Sequence, residues 1–259
     1  MSIISNIKEN SIFASILGLI SFSTILPVGN AVRLETTARM FWLWPVVHFF
    51  VGILAYIVAI ICSDLFNLPA LLVGAIVYGF ILIFTGLHHL DGLMDMADGV
   101  MVHGDFNRKM NVMKDPITGV AGIASFFIVA IITLLGITYS VNNNFLVAII
   151  ICEMASKVSL LTTCISSNPY SHGTGALTIR SINIINYSVS LIIALILAFI
   201  VGGFNGLIGI FGGVLGGAII SIIARRSFRV ANGDVLGASN EFGRMTSLLL
   251  MIISICVML

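Results

Sequence analysis

The sequence predicts an all-α integral membrane protein, a single polytopic bundle of seven or eight transmembrane helices that comprises residues 1–259. Hydrophobic residues make up 59% of the chain, charged residues only 9%, and the mean hydropathy is +1.14, which is far from the composition of a soluble domain. Apolar runs of membrane length also recur along the whole chain. A net charge of +1 without a basic stripe argues against a nucleic-acid partner.

The apolar runs are the candidates for these helices. The first, residues 12–26, ends at Pro27 and is short for a spanning helix, so a thin span and an interfacial helix are both compatible with it. The next run, residues 41–62, carries Trp42 and Trp44, whose amphipathic rings suit an interfacial belt. The remaining candidates are residues 70–87, 118–140, 145–166, 184–204, 207–224 and 245–259.

The basic residues predict a location in the cell membrane, with the polar connections on the cytoplasmic side. Apart from Lys8 in the N-terminal tail and Lys157 inside a span, Lys and Arg fall in alternate connections, so the positive-inside rule places those connections in the cytoplasm. With eight spans both termini lie outside, and with seven the N-terminus stays inside. The residues that set this orientation are Arg33, Arg39, Arg108, Lys109, Lys114, Arg180, Arg225, Arg226, Arg229 and Arg244.

Glycines are concentrated in the run that joins the predicted spans 184–204 and 207–224, with a turn expected at Asn205 and Gly206. Eight glycines lie between Gly202 and Gly217, several of them four residues apart. Small residues at this spacing let helix backbones approach closely. The glycines therefore predict a tightly packed helical hairpin and not a phosphate-binding loop.

Three carboxylates follow the predicted span 70–87. Asp91, Asp95 and Asp98 are separated by four and then three residues, so a helix places them on one stripe, here called the aspartate stripe, with His88 on the same side. Like charges in a row repel one another, and a divalent cation removes the repulsion. Oxygen ligands favour Mg²⁺. The stripe therefore predicts a Mg²⁺ site, and the alternative is a solvated helix end.

Other ionisable residues share the predicted cytoplasmic connections. Asp115 comes just before a span, and Asp234, with Glu241 after it, either caps the last helix or binds metal or substrate. Arg108 and Lys114 lie close in sequence to the aspartate stripe. Such cations suit phosphate oxygens, although a lipid-facing basic belt is the alternative. A single site at the cytoplasmic interface is the simplest interpretation.

Glu153 and Lys157 are charged residues inside a predicted span, four residues apart. The spacing predicts that they pair with each other, which lowers the cost of burying both charges. The pair is either structural or part of a functional site, because Lys157 is near enough to the cytoplasmic end to reach an anionic substrate. Carboxylates that bind metal beside cations indicate a membrane enzyme that uses Mg²⁺ to handle a pyrophosphate or a phosphate ester.

Motifs along the whole chain resemble one known family. Residues 89–100 read His-Leu-Asp-Gly-Leu-Met-Asp-Met-Ala-Asp-Gly-Val, and Met-Lys-Asp at 113–115 precedes Gly119. Gly-Asp at 233–234 precedes Leu-Gly-Ala at 236–238, and Leu-Pro-Val at 26–28 lies near the N-terminus. In the order in which they occur along the chain, these motifs resemble those of the cobalamin synthases, also called adenosylcobinamide-GDP ribazoletransferases. The chain departs from the family pattern at Ile25, Ile117, Lys157 and His172, where members commonly have Arg.

The resemblance implies the last assembly steps of the nucleotide loop of cobalamin. Adenosylcobinamide-GDP and α-ribazole, or its 5′-phosphate, would give adenosylcobalamin, or its phosphate, with Mg²⁺ as cofactor and release of GMP. Asp91, Asp95 and Asp98 would hold the metal, and Asp115 is a weaker candidate for metal binding or for the base. Membrane lipid and a second copy of the chain are further expected partners. The candidate substrate-binding residues are His89, Arg108, Lys114, Lys157, Asp234 and Glu241.

Two other functions remain open at this point. A CDP-alcohol phosphotransferase would follow the same logic with CMP as leaving group, but its usual Asp-Gly-x-x-Ala-Arg run is not present, since Leu93 and Met94 follow Gly92. An ion-coupled transporter would use Glu153, Lys157 and the aspartate stripe as an ion path. A transport site is expected near the middle of the membrane, whereas the stripe is predicted at its face.

Overall fold

The computed structural model describes residues 11–28 and 32–258, and the predicted N-terminal tail with Lys8 lies outside this part of the chain. Within it the regular elements are helices, and one isolated bridge pairs Pro169 with Ala231. The predicted all-α class is therefore confirmed. The helices are α1 (Ile12–Ser23), α2 (Leu34–Ala38), α3 (Trp44–Ile60), α4 (Ala70–Phe84), α5 (His88–Met101), α6 (Phe106–Val112), α7 (Val120–Asn142), α8 (Val147–Ser166), α9 (Thr174–Ser181), α10 (Ile184–Ser227) and α11 (Gly233–Met258).

In the described residues, five helical segments are long and apolar enough to cross a membrane. They contain α3, α7, α8, α10 and α11, and short 3₁₀ and π turns extend the first of them to Phe41–Leu65. The 15-residue α4 reaches that length only together with α5, to which it is bent by 91°. The polytopic membrane class is confirmed, and the number of crossings stays a prediction.

α1 is shorter than the apolar run that predicted it. Ser11 caps the helix by accepting a hydrogen bond from the amide of Ala14 at 3.1 Å, and the helix ends at Ser23. Its 12 residues rise about 18 Å, whereas the hydrocarbon core of a bilayer is about 30 Å thick. The length of α1 therefore favours an interfacial position over a full span.

α10 is a helical hairpin. Gly203 has φ 58° and ψ −141°, a conformation that glycine adopts without strain, and it interrupts the helix. Tyr187, before this break, hydrogen-bonds Thr162 at 2.9 Å, and Gly217, after it, packs against the same threonine. Two residues so far apart in sequence meet one point of α8 because the chain reverses between them. The predicted hairpin is confirmed, and its turn lies at Gly203 instead of Asn205 and Gly206.

α8 is the central helix of the bundle. Of its apolar span 94% is buried, compared with 22% for α10, and α3, α10 and α11 surround it. The glycines of α10 allow close contact: a Cβ on Gly213 would lie 2.4 Å from the carbonyl oxygen of Ala155, and one on Gly212 would lie 2.7 Å from the Cα of Ser247. The predicted packing role of these glycines is confirmed, and α8 can carry charged side chains shielded from lipid.

A sharp bend turns α5 across the end of α4. Gly86 has φ +79° and Leu87 has φ +65°, and two consecutive left-handed residues redirect the chain. A bulky residue with positive φ is a local strain that the surrounding packing must hold. The bend carries the aspartate stripe away from the axis of α4 and towards α7 and α11.

The polar connections are more helical than the sequence predicted. α10 continues to Ser227 and α11 begins at Gly233, so the connection predicted for residues 225–244 shrinks to residues 228–232. Two further short helices, α6 and α9, lie in connections that were predicted as loops. Arg244 is not in a loop but is fully buried in α11, because two carboxylates of the bundle neutralise it.

Candidate active site

A cleft of about 450 Å³ opens where α5 and α11 begin. Asp91 and Asp234 lie in its wall together with His88 and His89, while Trp44 and Leu160 supply apolar surface. The remaining lining residues come from α1, α9 and α11. They are Ser21, Phe22, Thr174, Gly175, Thr178, Gly233, Leu236 and Gly237.

Two glycines hold the walls of this cleft together. A Cβ on Gly92 would lie 2.8 Å from the backbone of Asp234, and one on Gly237 would lie 3.0 Å from the carbonyl oxygen of His89. Larger residues would therefore force α5 and α11 apart. This explains why glycine follows Asp91 in the first motif and why Gly237 follows Asp234 in the last. The crossing brings two carboxylates that are far apart in sequence to one wall.

Asp95 shows how crowded these negative charges are. It lies in α5, outside the long membrane-spanning helices. Burial, followed by the carboxylates of Asp91, Asp234 and Asp98, raises the pKa of Asp95 to about 6. The neighbours that raise this pKa are all acidic, so the cluster has a surplus of negative charge that a cation would relieve.

Asp98 makes a contact that the sequence did not predict. Its two carboxylate oxygens accept hydrogen bonds from the amides of Gly119, at 2.6 Å, and Gly122, at 2.9 Å. Gly119 is the N-cap residue of α7 and Gly122 lies in its first turn, where the amides have no partner inside the helix and the helix dipole has its positive end. Asp98 therefore anchors α7 to α5, and its role as a metal ligand stays a prediction.

The fit of a metal ion can be judged from the donors. Among the described residues, no three His, Cys, Asp or Glu side chains lie close enough together to hold an ion by themselves. Mg²⁺ is nevertheless often bound by one or two carboxylates together with substrate phosphates. Asp91 and Asp95 fit a site of this kind, in which two carboxylates hold the ion and the substrate completes its coordination.

His89 and Lys157 form a buried contact beside the cleft. Nζ of Lys157 lies 3.0 Å from Nε2 of His89 and 5.8 Å from the ring centroid of Trp44. With Lys157 as the donor, Nε2 of His89 accepts, which places the ring proton on Nδ1. Within the described residues, that buried Nδ1 has no hydrogen-bond partner. His89 lines the cleft, which makes this nitrogen a candidate donor for a bound group.

The predicted direct pair of Glu153 and Lys157 is wrong. Glu153 instead pairs with Arg244 and, at 3.2 Å, with Nδ1 of His48. Arg244 also binds Glu241, which is buried inside the bundle and does not line the cleft. The spacing of four residues does place Glu153 and Lys157 on one face of α8, but long side chains from α3 and α11 reach Glu153 directly.

The other predicted site residues lie at the surface. Asp115 accepts a hydrogen bond from the amide of Ile117 at 2.9 Å and, like Arg108, is exposed and outside the cleft wall. Lys114 lies over the ring of Tyr170, 5.0 Å from its centroid, and interacts electrostatically with Asp234. Of the cations predicted in the connection that follows the stripe, Lys114 is therefore the one that reaches towards the site.

Two residues near the cleft have roles that the sequence did not indicate. Trp44 was interpreted as part of an interfacial belt, but it is buried, stacks on Phe41 at 4.3 Å and lines the cleft. Asn232 supplies the cap of α11, accepting from the amide of Val235 at 3.1 Å, so the capping alternative for Asp234 is not realised. Asn232 also donates to Asp234 at 2.7 Å and orients it. Asn is a preferred N-cap residue, so its type could have indicated this capping role, whereas no local pattern marks the role of Trp44.

Comparison with known proteins now decides the family. The model of the family described as cobalamin-5-phosphate synthase matches residues 15–252, which include α5, most of α11 and every residue that lines the cleft. The chain belongs to the cobalamin-5-phosphate synthase family. The predicted resemblance is confirmed, and like its relatives the chain is a transferase of cobalamin biosynthesis.

Relatives similar to this cobalamin-5-phosphate synthase family member are named adenosylcobinamide-GDP ribazoletransferase. The protein of Methanosarcina barkeri is 30% identical over 250 residues, with 89% of this chain and 88% of the relative covered. That of Pyrococcus abyssi is 32% identical, with 92% and 97% covered, and that of Thermococcus kodakarensis is 34% identical, with 90% and 96% covered. No solved structure matches the chain.

Proposed function

We propose that the chain joins adenosylcobinamide-GDP to α-ribazole, or to its 5′-phosphate, with Mg²⁺ as cofactor and release of GMP. The product is adenosylcobalamin, or its 5′-phosphate, and the reaction takes place at the cytoplasmic face of the cell membrane. The names of the relatives support the substrates. The observation that carries the proposal is the cleft, in which Asp91 and Asp234 share a wall with a buried, unpartnered His89 donor.

The reaction exchanges one bond at phosphorus for another. A ribose hydroxyl oxygen of α-ribazole bonds to the cobinamide-linked phosphorus, and the bond from that phosphorus to the oxygen shared with GMP breaks. The hydroxyl proton goes to a base, and GMP leaves with the electron pair. Asp234 lines the cleft and is oriented by Asn232, so it is the carboxylate that we assign to accept this proton.

The carboxylates of α5 have a separate role in this scheme. Asp91 and Asp95 would hold Mg²⁺, which neutralises negative charge on the diphosphate oxygens when it is bound. Both side chains project from a helix whose position Gly92 and Asp98 fix against α11 and α7. Their spacing is therefore set before substrate arrives, which is the arrangement that electrostatic catalysis needs.

His89 supplies a donor to the same substrate. Lys157 holds Nε2 of His89, so Nδ1 bears the proton and is free to donate to a phosphate oxygen. A donor that is already desolvated and oriented loses little when the substrate binds. Lys157 thus acts through His89, since it is itself buried between His89 and Trp44.

The proposal is tested by purified protein in detergent with adenosylcobinamide-GDP, α-ribazole and Mg²⁺. We expect GMP to appear with the cobalamin product and to disappear when EDTA replaces Mg²⁺. The Asp64→Asn variant is a control that should keep full activity, because this carboxylate is exposed and does not line the cleft. CMP release from a CDP-alcohol would instead support the phospholipid reaction, and no nucleotide release from either donor would contradict both enzymes.

A further inference from the structure

Outside the cleft, a second polar region lies between the last residues of α8 and α10. Two recesses of about 370 and 400 Å³ meet at Ile165 and Ser167. Arg225 and Arg229 line the first, and Arg180 lines the second. Neither recess shares a lining residue with the cleft. The volume of each is within the range of small-ligand sites.

This region has an excess of positive charge. Residues 165–184 and 222–232 contain no Asp or Glu and four arginines. The carboxyl ends of α8 and α10 offset only part of this charge, about half a negative charge each. Arg225 donates to the carbonyl of Ser166 at 2.8 Å, and Arg180 donates to that of Ser171 at 3.1 Å. Within residues 11–28 and 32–258, the solvent-exposed guanidinium of Arg229 makes no hydrogen bond or ion pair with another residue.

Arg229 also occupies a position that the backbone would give to glycine. It follows the end of α10 with φ +64°, and its amide donates to the carbonyl of Ala224 at 3.0 Å. This left-handed geometry after a helix end favours glycine, since a side chain is strained there. A strained residue whose side chain lines a recess without a protein partner indicates a functional use of that side chain.

Exposed apolar residues lie in and next to this region. Ile184 lines the second recess and is 64% exposed, Ile185 follows it and is 70% exposed, and Ile222, which is 49% exposed, lies three residues before Arg225 on α10. In a membrane-spanning bundle such side chains face lipid tails, so the arginines beside them lie at the level of the headgroups. Basic pockets between spanning helices bind anionic headgroups in other membrane proteins.

From these observations we infer a binding site for the phosphate group of an anionic membrane phospholipid, with Arg229 as its principal ligand and Arg225 and Arg180 on either side. The guanidinium donates to the phosphate oxygens, and the acyl chains lie along Ile184 and Ile222. A phospholipid would pair its phosphate with the guanidinium of Arg229 and would cover the exposed isoleucines with its acyl chains.

The test compares Arg229→Gly with Arg226→Ala, its control. Each variant removes one positive charge, but Arg226 lines neither recess. Glycine relieves the strain at position 229, so this variant should melt at the same temperature as the parent or higher in neutral detergent. Short-chain phosphatidylglycerol should raise the melting temperature of the parent and of Arg226→Ala by about 2–4 °C. It should leave Arg229→Gly nearly unchanged.

Three results would overturn the inference or part of it. An equal shift in Arg229→Gly would remove Arg229 from the site. An equal shift with phosphatidylcholine of the same chain length would show that the anionic charge is not recognised. An equal shift with inorganic phosphate at the same concentration would assign the recess to a soluble phosphate and overturn the lipid.

Discussion

Two groups of charged residues in this protein differ in their balance of charge: one has a surplus of negative charge and the other is neutral overall. The first group is the set of carboxylates Asp91, Asp95 and Asp234 at and beside the cleft, where burial together with the neighbouring negative charges raises the pKa of Asp95. The second group, here called the buried ion cluster, has two carboxylates, Glu153 and Glu241, and two cations, Arg244 and Lys157, and all four side chains are shielded from solvent. The balanced group is neutral overall, so its burial requires no ligand. The unbalanced group weakens the fold unless a ligand completes it.

Loss of Arg244 should have the largest effect on stability. Arg244→Met leaves two carboxylates buried against one cation, and breaking a buried ion pair from one side costs about 3–5 kcal/mol. We expect a large drop in the melting temperature in detergent and in the yield of folded protein, measured by size-exclusion chromatography of a fluorescent fusion.

Its control restores the balance of charge. Arg244→Met combined with Glu241→Gln leaves Glu153 and Lys157 as one carboxylate and one cation, so part of the lost stability should return. A double variant that is no more stable than Arg244→Met would show that charge balance does not explain the cluster.

The next largest effect is expected at the crossing of α5 and α11. A methyl group on Gly92 would meet the backbone of Asp234 at 2.8 Å, so Gly92→Ala should lower stability by about 1–3 kcal/mol and shift the cleft carboxylates. Thermal unfolding and GMP release measure the two consequences.

Gly79 provides a matched comparison, because a Cβ there meets no atom within 4 Å. Gly79→Ala in α4 should be neutral or stabilising by up to about 1 kcal/mol, because alanine favours the helix more than glycine. Equal behaviour of both variants would contradict the close crossing.

The smallest of these effects separates the members of the aspartate stripe. Asp98→Asn keeps one acceptor for the amides of Gly119 and Gly122 but loses the negative charge at the start of α7, so stability should fall by about 1 kcal/mol. Asp91→Asn should leave stability unchanged or raise it when no metal is present. Melting curves in EDTA compare the two, and a more stable Asp98→Asn would contradict its anchoring role.

Local spacing in the sequence was enough for part of this picture. The aspartate stripe does lie on one helix, and the glycines of α10 do form a closely packed hairpin. The first and last motifs do meet in one cleft. Each of these inferences depends either on periodicity along a single helix or on a family motif. Both can be recognised in a single sequence.

Contacts between distant helices could not be predicted in the same way. Glu153 finds Arg244, 91 residues later in the chain, because α11 packs on α8. Asp98 binds amides of α7, and Trp44 reaches the cleft because α3 and α8 are neighbours. Periodicity shows which face of a helix a residue occupies, but it does not show which other helix covers that face.

The most direct test of the comparison is Asp95→Asn, measured for both stability and turnover in the same preparation. We predict that the metal-free variant melts at or above the temperature of the parent, because a repelling charge is gone. We also predict that Mg²⁺-dependent GMP release falls by a factor of about 10² or more, roughly 3 kcal/mol of transition-state stabilisation. A folded variant that releases GMP at nearly the parent rate would contradict the account.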